Sequence, residues 1–365
     1  MTGRADATAL RAKKIIARAP ARVDPAGGGT DAPPYCVDYG GAVVNFSVAR
    51  YSFASVELWP KERGVQIYSH DLKTGAQAAS AKELKFDGHL DFLKAFVKRL
   101  VGPEHGCLII TQSEIPERTG LGGSGAMGVA MAGAITRALG QYLTKDEVAL
   151  LANEVERKDV AHSGGSQDSF GSAIGGAKLI TYRKGGGETC ERLKIPDKTL
   201  AELERDSLMI YTGSVHLSGS IHSDIKKWYH QENSPTIQAM DHLKAAAQRA
   251  ALALTAGDIN GYIECLNASR VNHYALHPSC DSDRLRQFFT ALGPHIRGGK
   301  TCGAGGGGFI FIHAKPGHRG ECVQTAESLG GRVWDFKFDH EGLVTREEEA
   351  SDVAQVFDPA KSRLF

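Results

Sequence analysis

The stretch Gly120-Leu121-Gly122-Gly123-Ser124-Gly125-Ala126 stands between a short apolar strand, Cys107 to Thr111, and a nearly unbroken run of small apolar residues, Ala126 to Leu139. Consecutive glycines ahead of a buried helix turn backbone N–H groups toward a ligand, and the helix N-terminus adds partial positive charge. Such a loop suits a phosphate. The letters also match G-x-G-x-x-G at Gly120, Gly122 and Gly125, the dinucleotide fingerprint. That fingerprint needs an acidic residue about 20 positions on, at the end of a second strand. Here the corresponding stretch, Leu143 to Asp146, opens a helix. Strands and helices mix along the chain without strict βα alternation, so the expected class is α+β rather than a doubly wound sheet.

Outward from this loop the pattern predicts strands at 42–47, 52–58 and 65–69, a helix over 90–100, and a helix from a Thr144/Glu147 capping box to about Ala161. The reading continues with a strand at 179–182, a domain boundary near 195–206 and a strand at 207–212. Helices follow at about 218–230, 236–256, 258–273 and 281–291, then strands at 309–313 and 333–338. Residues 162–170 read as a Gly/Ser-rich loop.

Two further glycine clusters flank the central one. Pro20-Ala21-Arg22-Val23-Asp24-Pro25-Ala26-Gly27-Gly28-Gly29-Thr30-Asp31 sets Arg22, Asp24 and Asp31 around a glycine turn. Carboxylates that accept and a guanidinium that donates suit a hydroxyl-rich substrate, with Gly28, Gly29 and Thr30 between them, although a surface ion pair fits the same spacing. Gly303-Ala304-Gly305-Gly306-Gly307-Gly308 leads into a strand. A turn needs one or two glycines, so this run, with Gly305 and Gly306 at its centre, points to close approach of backbone to a ligand or to another loop. Gly299-Lys300-Thr301 resembles the end of a P-loop, but the Gly required five positions earlier is Pro294. The P-loop reading fails.

On the helix over 145–161, Val148, Ala149, Leu151, Ala152 and Val155 form one apolar arc. Glu156 falls inside it, as does Asp159 if the helix persists, and a carboxylate on the core side needs a partner. Asp168 lies in the following Gly/Ser-rich loop, where it either faces a cleft or caps a helix.

The rest of the composition sets limits. The chain has 365 residues, 43 Lys+Arg against 42 Asp+Glu and a formal charge of +1. A balance without basic clusters favours neither nucleic acid nor an anionic membrane as partner. Seven scattered cysteines, without C-x-x-C or zinc spacing, read as reduced thiols in a cytoplasmic protein. The N-terminus has no apolar run resembling a signal h-region, and no window approaches the ~18 apolar residues of a spanning helix.

Together the three glycine motifs, in this order over about residues 14–345, resemble the GHMP kinases. Gly120 to Ala126 is similar to that family's P-x-x-x-G-L-G-S-S-A, and Gly303 to Phe309 to its G-A-G-x-G-G. The resemblance implies an N-terminal domain (14–200) with a left-handed βαβ crossover, a ferredoxin-like C-terminal domain (206–345) and flexible termini (1–13 and 346–365). It further implies ATP in the cleft on the loop Gly120 to Ala126, magnesium held by Ser124 and Glu156, and Asp168 as the base. Glu156-Arg157 resembles the E-R pair preceding the base loop in mevalonate kinase, which favours Glu156 over Asp159. Ala26 to Tyr35, Gly40 to Asn45 and Phe336 to Gly342 look like the D-glycero-D-manno-heptose 7-phosphate kinase branch, whereas Arg22-Val23-Asp24 looks more like L-fucokinase. Both branches phosphorylate an anomeric hydroxyl, so the implied activity is an ATP-dependent sugar 1-kinase, with a catalytically inactive sugar- and nucleotide-binding sensor as the contrasting class. Two departures stand out: Gly125 replaces the usual Ser or Ala, and His216 occupies a position where heptose kinases usually carry Arg, making it a candidate contact for a sugar phosphate.

Overall fold

The computed structural model describes residues 13–160, 165–214, 218–232 and 234–349. The first half runs β1 (Lys13–Ala26), α1 (Tyr35–Tyr39), β2 (Gly41–Pro60), β3 (Val65–Ser69), β4 (Thr74–Ala78), α2 (Asp91–Leu100) and β5 (His105–Ser113). It continues with α3 (Gly123–Ala138), α4 (Lys145–Lys158), α5 (Gln167–Ala173), β6 (Ala177–Tyr182) and β7 (Glu188–Arg192). The second half comprises α6 (Asp197–Asp206), β8 (Ser207–Tyr211), α7 (Ser218–Tyr229), α8 (Thr236–Ala256), α9 (Ile259–Tyr274) and α10 (Asp283–Leu292). Last come β9 (Ile296–Thr301), β10 (Phe309–Ala314), α11 (Arg319–Ser328), β11 (Arg332–Asp335) and β12 (Val344–Glu349).

The larger sheet has the order β12-β1-β2-β5-β3-β4, and β6 with β7 extends it from β2. The 20-residue β2 replaces the two shorter strands expected from sequence; its residues 52–60 pair with β5 and residues 41–46 with β6. β1 is likewise continuous through Pro20 and Pro25. The register against β2 shifts between Pro20 and Ala21 and between Val23 and Ala26, and such irregularities let a strand carry residues without a ladder N–H. β3 and β5 are parallel, joined through β4 and α2, while the other described ladders are antiparallel. The smaller sheet is antiparallel with order β11-β8-β10-β9, which in chain order is 4-1-3-2, a ferredoxin-like arrangement.

Alternation along the strands of the smaller sheet explains how the layers stack. Leu208, Ile210, Ile310 and Ile312 face α10 and α11, whereas Met209, Phe309 and Phe311 join a core shared with the first half. There Phe46 of β2 meets Phe311, Phe336 and Phe338 at ring-centroid distances of 6.3, 6.1 and 5.1 Å, with Ala247 of α8 and Tyr262 of α9 alongside. On the far face of the larger sheet, α3 is buried on nearly every side from Gly125 to Thr136, as its unbroken apolar composition requires.

Several expectations are corrected. Residues 197–206, read as part of a boundary, are α6, and Gln167 to Phe170, read as the end of a loop, belong to α5. Gly299-Lys300-Thr301 ends β9, an edge strand of the smaller sheet, and the strand expected to 338 stops at Asp335, with Phe338 bridging to Val48. Residues 346–349, assigned by resemblance to a flexible tail, complete β12 and pair with β1 (Ile16 opposite Arg346). Residues 1–12 and 350–365 lie outside the described residues. No helix among the described residues is long and apolar enough to cross a membrane.

Candidate active site

A cavity of about 1240 Å³ opens between the halves, and Gly120 to Ser124 at the start of α3 form part of its wall. Gly122 occupies the helix N-cap in the left-handed region (φ 70°), which a glycine adopts without strain. α3 is 16 residues long, so its free N–H groups and dipole converge on the cavity. Gly125 and Ala126 sit behind this wall, buried.

Arg22 of β1 ties the loop to Asp168. Its Nε donates to Asp168 Oδ1 at 2.7 Å, its Nη1 donates to the Gly120 carbonyl, and its backbone N–H bonds Leu121 O at 3.0 Å. Burial alone opposes the guanidinium charge, but Asp168 and then Asp24 outweigh it and raise the Arg22 pKa further. Arg22 is therefore committed to the protein's own groups, although it borders the cavity. Asp168 sits in the first turn of α5 with a side chain 24% exposed toward the cleft.

Asp31 also lines the cavity, and the Gln167 backbone N–H and side-chain amide donate to it at 3.4 and 3.3 Å. Burial, reinforced by the neighbouring Asp168 charge, pushes its pKa up to about 6. Glu156 of α4 is buried and lines the same cavity. Asp159 instead turns outward to Arg99 at 3.2 Å, which separates the two carboxylates that helix geometry left open. Ser124 and Glu156 both line this cavity and offer hydroxyl and carboxylate oxygens, a donor chemistry that fits a hard cation such as magnesium.

The remaining motif residues are structural. Asp24 is fully buried against Lys300 Nζ at 3.0 Å and the Gly303 N–H at 2.9 Å, and does not line the cavity. Burial raises its pKa, but Lys300 and Arg22 more than reverse this and hold the carboxyl below its usual range. Gly28 packs on the Asp24 carboxylate, and Thr30 Oγ1 donates to the Gly27 and Ala42 carbonyls, so neither is placed to touch a substrate in the cavity; Gly29 is. Gly305 and Gly306 lie against Cys280, whose carbonyl accepts the Gly306 N–H at 2.8 Å. The third glycine run approaches another loop: a Cβ on Gly303 would come within 2.9 Å of Gly120 Cα, and Phe309 N–H bonds Thr119 O at 2.9 Å. Only Gly303 and Ala304 of that run reach the cavity. His216 lies outside the described residues. Sequence reasoning missed Lys300, whose partner is 276 positions away, and the cavity residues Ser220, His222 and His273, which carry no local motif.

The Gly125 departure has a steric cause here. A Cβ at this position would lie 2.6 Å from Asp168 Cβ and 2.9 Å from its carbonyl carbon, so α3 and α5 pack through the bare glycine. Gly125→Ala is expected to displace Asp168 and lower kcat by about 10–10²-fold, since a misplacement near 1 Å suffices for that loss, with KM for ATP nearly unchanged. Steady-state kinetics of the variant check this; an unaltered kcat would show that the helices part without moving Asp168.

Residues 89–176 match the model of the GHMP kinases N terminal domain. The D-glycero-alpha-D-manno-heptose 7-phosphate kinase of Campylobacter jejuni is 29% identical over 337 residues, 91% of this chain and 98% of that one. A mevalonate kinase of Pyrococcus furiosus is 26% identical over 351 residues, 92% and 99% of the two chains. Among solved structures, a D-glycero-D-manno-heptose 1-phosphate kinase from Bacteriodes thetaiotaomicron superposes with a TM-score of 0.75 at 26% identity, covering 91% of this chain and 98% of its own. The chain carries the GHMP kinase N-terminal domain within the GHMP kinase fold, and it is a kinase of that type.

Proposed function

We propose that this kinase transfers the γ-phosphoryl group of ATP to the anomeric hydroxyl of a sugar, D-glycero-D-manno-heptose 7-phosphate being the leading candidate. The observation that carries the reading is the Arg22 bridge, which holds the Asp168 carboxylate against the same loop, through Gly120, that presents N–H groups to a phosphate. An acceptor hydroxyl resting on Asp168 is thereby set beside the group to be transferred. The bond from O1 to phosphorus forms as the β–γ bridging bond breaks, and Asp168 orients the hydroxyl and takes its proton. A loose transition state asks mainly for position and charge neutralisation. The N–H groups of Gly122 to Gly125 supply part of that neutralisation. Magnesium held by Ser124 and Glu156 would add a hard positive charge at the phosphate oxygens.

Asp31 accepts sugar hydroxyls in this scheme, and it does so fully only when ionised. As pH falls through about 6 it takes up a proton, so KM for the sugar is expected to rise several-fold between pH 7.5 and 5.5 while KM for ATP moves little. A flat sugar KM over that range, or the same rise in Asp31→Asn, removes Asp31 from substrate binding.

The acceptor is identified by ADP release across heptose 7-phosphate, mannose, fucose, galactose and their phosphates, with the product located by phosphorus NMR. The expected product is a glycosyl 1-phosphate; phosphate on any other oxygen, or turnover of mevalonate instead, overturns the reading. The panel also separates a second reading, an unphosphorylated sugar as in L-fucokinase. Its support is that the arginines and lysines in the described cavity wall are Arg22, already held by Asp168, and Arg118.

A further inference from the structure

Away from the cleft, the C-terminal end of α6 and the end of β10 bring Glu202, Asp206 and His313 together, one donor atom of each lying within 4.8 Å of the others. His313 is fully buried, its Nδ1 is 3.1 Å from Ser207 Oγ, and its Nε2 has no hydrogen-bond partner among the described residues. An orphaned buried nitrogen is costly and calls for a physical cause. Burial first, then Arg297 and Arg205, push the His313 pKa down to about 4 against the pull of Asp206. With Nδ1–H donated to Ser207, the Nε2 lone pair remains for a ligand.

We infer that Glu202, Asp206 and His313 form a structural site for a divalent transition-series cation of the zinc type. One imidazole nitrogen with two carboxylate oxygens suits zinc, whereas magnesium prefers oxygen alone. Two arginines occupy the same carboxylates: Arg205 grips Asp206 with both nitrogens, Nε donating to Oδ1 at 2.9 Å and Nη2 to Oδ2 at 2.5 Å, and Arg297 approaches Glu202 at 3.6 Å. Arg205 is largely exposed, and each carboxylate keeps lone pairs, so the ion adds to these pairs instead of needing their removal. Tetrahedral ligands at about 2.1 Å stand roughly 3.4 Å apart, so binding closes the cluster by up to about 1.4 Å through side-chain rotation. The ion would fasten α6 to β10. His313 lies four residues beyond Phe309, about 13 Å along the strand from the contact with the phosphate loop, so the site is structural and separate from phosphoryl transfer.

Calorimetry of the full chain with Zn²⁺, without nucleotide, tests the inference, with thermal unfolding and X-ray absorption as companions. Expected are one equivalent bound, a nitrogen/oxygen shell and a raised Tm. Binding should weaken at least about tenfold in Glu202→Gln, a partly exposed helix position, and be lost in His313→Gln. If His313→Gln does not fold, Glu202→Gln carries the test. The inference is overturned if wild type binds no Zn²⁺, if both variants bind as wild type does, if sulfur dominates the shell, or if Glu156→Gln alone abolishes binding. The last outcome would place the ion at the nucleotide site.

Discussion

Asp168→Asn is expected to lower turnover by about 10²–10⁴-fold while leaving ATP affinity almost unchanged, the usual worth of a positioned general base. The amide keeps the shape of the carboxylate, and its oxygen can still accept from Arg22 Nε, so the loop geometry set by the Arg22 bond to Gly120 survives. In the proposed mechanism, what disappears is the proton acceptor and the negative charge beside the acceptor hydroxyl. Arg22 remains charged, because Asp24 also supports it. Rapid-quench kinetics with the identified sugar, together with calorimetric titration of ATP, separate chemistry from binding. Full activity would take Asp168 out of the mechanism, and a loss confined to ATP affinity would make it a support for the phosphate loop.

The parts of the site that local chemistry encodes were legible in the sequence. Glycines before an apolar helix marked the loop that lines the cavity, the Thr144/Glu147 capping box fixed the start of α4, and the apolar arc on that helix pointed to the buried Glu156. Asp168 was visible as a residue but its setting was not, since α5 is a seven-residue helix whose packing depends on the bare backbone at Gly125. The first motif was misread in part for a related reason. Arg22, Asp24 and Thr30 look like substrate ligands until their partners appear: α5 and the glycine loop before α3 for Arg22, β9 and the loop before β10 for Asp24, and the neighbouring turn and the start of β2 for Thr30. β12 was hidden because Arg346 to Glu349 reads as a charged tail, although an edge strand tolerates such charges. Whatever depended on pairing distant segments was beyond periodicity and spacing.

Lys300→Met is expected to destabilise the chain by about 3–5 kcal/mol at pH 7.5, because it leaves a buried carboxylate without its nearest cation. Lys300 is 1% exposed and the Asp24 side chain fully buried, so water cannot replace the lost ammonium. Arg22 and the Gly303 N–H still face Asp24, which keeps the loss below that of a lone charge. The pH dependence follows from the sign of the shift. In wild type the Asp24 pKa lies below its unfolded value, so its contribution is present above that value and is lost as pH falls through the folded one. Without Lys300, burial raises the pKa instead, and stability is regained as Asp24 takes up a proton. The deficit should therefore narrow between pH 7.5 and 5, and Asp24→Asn combined with Lys300→Met should recover much of it at pH 7.5. Because Gly303 rests on Asp24 and packs against Gly120, the single variant should also bind ATP more weakly. Denaturant unfolding across pH measures the first effect and nucleotide titration the second. A deficit constant with pH, or a double variant no more stable than the single one, would show that loss of packing at Lys300, not the stranded charge of Asp24, sets the cost.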